Sequence, residues 1–252
     1  MLNKNQKERY LRNLILPEIG EDGQKKLLES KVLVIGAGGL GSPLIYYLTA
    51  AGVGNIGIVD DDIVESSNLQ RQIIHNEKDL GQKKVQSAKE KAESLNKDVK
   101  IDIYSIRINH ENLTELVQNY DFILDATDNF PTRFIINQVC LDQRKPLIFA
   151  AVKGFLGQVS VFKSYKNNNP CYACFNPNVP EEGFSLPLSE KGILGAVAGT
   201  AGSLQASTTI KEILGIGESL VGKILIFDCL KNEFRKVTLR KNSSCKICSK
   251  ST

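Results

Sequence analysis

Apolar and polar positions follow two alternating periods along the first three-fifths of the chain. Short, nearly continuous apolar runs at residues 32–35, 56–60, 101–106, 122–125 and 147–152 have the length of buried strands, and residues 43–51, 83–95 and 132–142 carry apolar positions at helical spacing. Strand and helix in alternation predict right-handed βαβ units, and so a Rossmann-like α/β fold with a mainly parallel sheet covered by helices on both faces. The pattern changes after Gly154, where residues 158–162, 223–227 and 233–239 read as later, partly antiparallel strands. Residues 6–30 read as mostly helical, with breaks at Pro17 and between Gly20 and Gly23. Residues 176–191 hold three prolines and little periodicity, which predicts a long loop.

Between Gly192 and Ile210 no residue is charged. A membrane span needs about 20 predominantly apolar residues, whereas this stretch contains Thr200, Ser203, Gln205, Ser207, Thr208 and Thr209. It therefore predicts a buried helix and no membrane partner. Gly192, Gly195, Gly199 and Gly202 recur at steps of three and four and share one helical face. Such a bare face suits close packing against the sheet or a second subunit, with a channel for an extended ligand as the alternative.

Composition adds limits. The 252 residues, 42% of them hydrophobic, are compatible with one α/β unit. Lys and Arg number 32 against 28 Asp and Glu, interspersed, for a net charge of +4. That balance is too mild for a nucleic-acid partner and leaves local basic sites for small anions. The opening MLNKNQKERYLRN lacks the apolar core of a signal peptide, so the expected compartment is cytoplasmic.

Gly36, Gly38 and Gly41 fit G-x-G-x-x-G between a predicted strand and a predicted helix, and Asp60 closes the next strand. In that context backbone amides and a helix N-terminus receive phosphates while a carboxylate receives ribose hydroxyls. Gly39 allows still closer approach. The fingerprint leaves open whether the ligand is a redox dinucleotide or a reacting triphosphate. Asn68, Arg71 and Lys84 then occupy a stretch that a dehydrogenase gives to a plain crossover, and fixed cations there suit a triphosphate with developing charge. Asp128, in the loop after residues 122–125, is placed either to hold Mg2+ or to cap the following helix.

Cys171–Cys174 and Cys245–Cys248 form two C-x-x-C knuckles in predicted loops. Four thiolates suit a closed, structural zinc site that clips the C-terminal segment to the body. Cys140 and Cys229, in a predicted helix and strand, read as buried.

Taken together, IGAGGLGS, AGVGNIGIVDDD, SNLQRQ, LDATDN and the paired C-x-x-C motifs resemble the ThiF/MoeB/HesA family, prokaryotic relatives of ubiquitin-activating enzymes, over essentially the whole chain. The resemblance implies ATP- and Mg2+-dependent adenylation of the C-terminal Gly-Gly of a small ubiquitin-like sulfur-carrier protein. It implies nucleotide contacts at Gly39, Asp60, Asn68, Arg71, Lys84, Asp128 and Asn129, with Ser67, Leu69 and Gln70 lining the same segment. It also implies a homodimer in which Arg12, with Arg9 nearby, crosses to the neighbour's ATP. On this pattern residues 1–30 are an arm, 31–153 a nucleotide-binding half and 154–252 a carrier-binding half with the zinc, all within one adenylation domain. Catalysis would rest on Arg71, Lys84, Arg12 and a metal at Asp128, because a carboxylate nucleophile with a pKa of about 3.5 needs no general base. Only two histidines are present, which agrees.

Family members that form a covalent link to their carrier bear a cysteine ahead of the glycine helix, near Leu188 here, and GFSLPLSEKGILG has none. The expected enzyme stops at the acyl-adenylate and leaves sulfur delivery to a separate persulfide donor, which favours a molybdopterin-type over a thiamine-type activity. Two other readings compete: a nicotinamide-dependent oxidoreductase, which the glycine fingerprint alone allows, and a non-catalytic zinc-stapled binder of a ubiquitin-like tail.

Overall fold

The apolar runs of the first half become strands of one sheet in the computed structural model, which describes residues 1–166, 168–177 and 192–249. The N-terminal arm forms α1 (Lys4–Arg9), α2 (Leu11–Leu14) and α3 (Gly20–Glu29). Then follow β1 (Lys31–Ile35), α4 (Gly41–Ala51), β2 (Asn55–Val59), α5 (Lys84–Leu95), β3 (Lys100–Tyr104), α6 (His110–Val117), β4 (Phe122–Asp125) and α7 (Phe130–Asp142). The later part holds β5 (Leu147–Lys153), β6 (Leu156–Phe162), α8 (Tyr172–Phe175), α9 (Gly195–Leu214), β7 (Lys223–Asp228) and β8 (Glu233–Thr238).

The sheet has eight strands in the order β3-β2-β1-β4-β5-β6-β7-β8. Strands β1 to β5 pair in parallel, and β5 to β8 continue the same sheet antiparallel. Parallel strands covered on both faces need apolar side chains on both. Accordingly Val32 and Val34 enter one core with α4, α5 and α9, while Leu33 and Ile35 enter the opposite core with α6, α7 and α8. Truncating a fully buried side chain such as Leu44 to alanine costs about 2–5 kcal/mol.

Several boundaries differ from the expected ones. The second expected break is absent: α3 begins at Gly20 and Gly23 lies inside it, where a Cβ would meet Ile19 Cγ2 at 3.1 Å and Leu214 Cδ2 at 3.4 Å. The glycine helix starts at Gly195, three residues late, and runs on to Leu214, where Gly215 caps it at φ 74°. Helix α6 was not anticipated, although Asn109 and Asn112 cap it reciprocally and Leu113 and Val117 bury its face. Cys174 sits within the short helix α8 rather than in a loop, and Cys229 lies one residue past β7, only half buried. Most of the expected loop at 176–191, including the position of the absent cysteine near Leu188, falls outside the described residues.

Candidate active site

The chain order reverses between β1 and β4, and ligands of open α/β sheets bind at the carboxyl ends of strands beside such a point. A cavity of about 340 Å³ lies there, walled by the glycine loop after β1, by Asp60 to Asp62 after β2 and by Ala126 to Asn129 after β4.

The glycines of the loop answer different demands. Gly36 has φ 103°, and a Cβ on it would lie 2.6 Å from the Ala126 carbonyl oxygen; at Gly41 a Cβ would lie 2.0 Å from the Gly36 oxygen. Both are required by the chain's own packing. Gly38 would meet nothing nearer than Gln72 Nε2 at 3.7 Å, and Gly39 would press on Ala198 Cβ at 3.3 Å. Ala37 N–H donates to Asp60 Oδ2 at 2.8 Å, and Ser42 donates through both N–H and Oγ to the Gly38 oxygen. The N–H groups of Gly38, Gly39 and Leu40 have no partner among the described residues, which leaves an anion-receptive concavity beside the start of α4.

Charged groups of both signs line the cavity. Burial pushes the Asp60 carboxyl above its ordinary pKa, opposed by the Lys84 charge and by the Ala37 and Asp62 amides. Lys84, the first residue of α5, is buried and its Nζ donates to Asp62 Oδ2 at 2.8 Å. Arg71 enters from the segment after β2 and donates from a guanidinium nitrogen to the Ser67 oxygen at 3.0 Å. Of the two roles open to Asp128, the cap belongs to its neighbour: Asn129 is the N-cap of α7 and accepts from Thr132 N–H at 3.0 Å. Asp128 is exposed at the cavity and has no hydrogen-bond or ion-pair partner among the described residues, so its carboxylate is free to meet a cation.

The structure thus gathers Gly36, Gly38, Gly39, Asp60, Arg71, Lys84, Asp128 and Asn129 around one cavity. Gly41 stands just behind it, and Ser67, Asn68, Leu69 and Gln70 do not line it. The Asn68 amide is turned inward, where its Oδ1 accepts from Glu65 N–H at 3.2 Å. Arg12 is on α2, at a separate hollow of about 550 Å³ that it shares with Tyr47 and Lys211. The histidines are away from the cavity lining, His75 buried behind the glycine loop and His110 exposed on α6.

Sequence spacing missed other members of the site. Asp62, the partner of Lys84, was hidden in an acidic triplet. Gln72 lines the cavity with its Oε1 buried and unpaired. Arg133 braces the β4 loop by donating to the Thr127 oxygen at 2.6 Å while its guanidinium lies 5.4 Å from the Phe149 ring centre.

The four cysteines converge away from the cavity. Sγ separations of 3.9 Å (Cys171–Cys174), 3.7 Å (Cys171–Cys245) and 3.4 Å (Cys174–Cys248) surround the edge of a tetrahedron with Zn–S bonds of about 2.3 Å, which is about 3.8 Å. Burial pushes the Cys171 thiol up and the Cys248 thiol to about 11, so clustered thiolates at this place call for a cation. The donor set fits Zn2+ and leaves no open position for catalysis.

No helix among the described residues is long and apolar enough to cross a membrane. The ThiF family model matches residues 10–247. The chain is 42% identical over 248 residues to the sulfur carrier protein adenylyltransferase of Thermus thermophilus, covering 97% of this chain and 92% of that protein. It is also 42% identical over 247 residues to the SAMP-activating enzyme E1 of Haloferax volcanii, covering 98% and 90%. Among solved structures, E. coli MccB with ATP superposes at a TM-score of 0.83 and 24% identity over 96% of this chain and 74% of that one, a likeness of fold. A match across nearly the full length, together with a glycine loop, facing cations and a four-cysteine clip, places the chain in the ThiF family.

Proposed function

We propose that the protein adenylates the C-terminal Gly-Gly carboxylate of a small ubiquitin-like sulfur-carrier protein, consuming ATP and releasing pyrophosphate. The observation that carries this is the 42% identity to a sulfur carrier protein adenylyltransferase over 92% of that protein's length. A cavity lined by free glycine-loop amides and by Arg71 and Lys84 supports it.

In this reaction a carrier carboxylate oxygen bonds to the α-phosphorus as the bond to the pyrophosphate oxygen breaks. The nucleophile is ionised at neutral pH, so no proton need be removed. The absence of histidine from the cavity lining accords with that. The chain's work is to hold the triphosphate on the glycine-loop amides, to receive the ribose at Asp60 and to place Arg71 and Lys84 against charge that grows on the phosphates. Lys84 exchanges its Asp62 partner for phosphate when the nucleotide enters. Mg2+ at Asp128 would supply further neutralisation of the polyphosphate.

A homodimer completes the proposal. Arg12 has no hydrogen-bond or ion-pair partner among the described residues, and Leu11, Ile15, Leu16 and Tyr47 are exposed on the same arm and the neighbouring α4. The half before residue 154 serves the nucleotide and the half after it the carrier, with sulfur supplied by a separate persulfide donor.

ATP–pyrophosphate exchange with Mg2+ and, in turn, molybdopterin-type and thiamine-type carriers tests the reaction. Exchange that needs an intact Gly-Gly tail is expected, and none with either carrier would overturn the proposal. Arg71→Ala or Lys84→Ala should lower the exchange rate about 100-fold; a variant that retained turnover would lose its place in the mechanism.

A further inference from the structure

Ala37, one residue before the cavity-facing Gly38, has both of its flanking peptide groups fixed. Its N–H is held by Asp60 Oδ2 at 2.8 Å, and its carbonyl oxygen lies 3.0 Å from His75 Nε2. A carbonyl can only accept, so Nε2 carries the proton. Burial keeps the imidazole neutral, which leaves Nδ1 to accept from Ser87 Oγ at 2.8 Å on α5, one turn after Lys84. The described residues have no cis peptide, and across a trans peptide the C=O of one residue and the N–H of the next point in opposite directions. His75 is buried and absent from the cavity wall, whereas Gly38 lines it.

We propose that His75 is a positioning residue: by holding the Ala37 carbonyl on the core side, it keeps the Gly38 N–H turned into the cavity as a phosphate donor. Ser87 acts through it by holding the ring in place from the Nδ1 side. Were that peptide plane to turn over, a carbonyl oxygen would face the phosphates in place of an N–H, and glycine at position 38 makes such a turn sterically easy. The latch has this function only if the ligand carries phosphates, so the inference rests on the ATP reading above.

The test is a comparison of ATP and adenosine affinities by calorimetry for the wild type and for His75→Leu, His75→Gln and Ser87→Ala, each checked by thermal unfolding. Adenosine lacks the phosphates but keeps the base and ribose. His75→Leu is expected to weaken ATP about tenfold or more while changing adenosine less than about twofold. His75→Gln, whose amide N–H can reach the Ala37 oxygen, should recover most of the ATP affinity, and Ser87→Ala should fall between. Should His75→Leu fail to fold, Ser87→Ala decides by the same ratio. Equal losses for ATP and adenosine, no loss for either, or a glutamine variant as damaged as the leucine one would overturn the latch alone. A wild type that bound no ATP would instead remove the adenylation reading and the latch with it.

Discussion

A methyl group added at Gly41 would lie 2.0 Å from the Gly36 oxygen, whereas at Gly38 its nearest neighbour would be a glutamine side chain at 3.7 Å. Gly41→Ala must therefore move backbone, and should lower unfolding stability by about 1–3 kcal/mol or more. Gly38→Ala should unfold within about 1 kcal/mol of the wild type yet bind ATP about tenfold less tightly, because only the ligand needs that space. Thermal unfolding and nucleotide titration on the same two proteins separate the effects. His75 supplies a pH dependence with a definite sign. Burial lowers its pKa from 6.5, with Lys84 and Lys91 acting in the same direction and Asp79 and the Ala37 carbonyl opposing. Below about pH 6.5 the unfolded chain takes up a proton that the folded chain refuses, so stability contributed by this group falls as the pH drops. Denaturant midpoints between pH 7.5 and 5.5 should slope less for His75→Gln. At this scale the sequence disclosed residues that the structure gathers around one cavity, Asp60, Arg71 and Lys84 among them. It could not disclose partners chosen by three-dimensional proximity. Asp62 meets Lys84 across 22 residues, His75 meets Ala37 across 38, and neither separation has a period that marks it.

Helix α9 shows where a sequence pattern says enough and where it stops. The recurrence of glycine predicted close approach, and two positions bear this out: a Cβ at Gly195 would lie 2.4 Å from the Gln70 oxygen, and at Gly202 2.3 Å from the Leu40 oxygen. The helix is thereby drawn against both the Arg71 segment and the start of α4. At Gly199 nothing described lies within 4 Å, although it belongs to the same series. Alanine is the better helix former by about 1 kcal/mol, so Gly199→Ala should raise the melting temperature and Gly202→Ala should lower it. A Gly199→Ala protein that lost stability would show that another chain seats on that face. Strands were legible because burial on both faces leaves little but Val, Ile and Leu in β1 and β2. Helix α6 escaped because eight residues give barely two turns of period, although the Asn109 cap was a legible start signal.

For the molecule as a whole, the four-cysteine clip joins points that are far apart in sequence. Cys171 and Cys245 are 74 residues apart, and α9, β7 and β8 all lie within the loop they close. A covalent cross-link over such a loop is worth about 4 kcal/mol in chain entropy, and a thiolate-bound metal acts in the same way. Removing zinc with a chelator, or replacing Cys174 by serine, should lower the melting temperature by several degrees and weaken ATP binding only as far as the fold loosens. Loss of catalysis in a protein that stayed fully folded would contradict a purely structural metal. The fold class, the parallel-to-antiparallel change and the gathering of the four cysteines could be read from one-dimensional spacing. The position of Arg12 beside a hollow of its own could not, since it depends on how the arm packs across α4 and α9. The clip also bears on how the protein is made. Translation delivers all eight described strands before Cys245 emerges, so strand pairing can begin before the four thiols are together. A metal held by the four thiols would then be the last tie to close, and a cell short of it would still make this protein but would keep each copy for a shorter time.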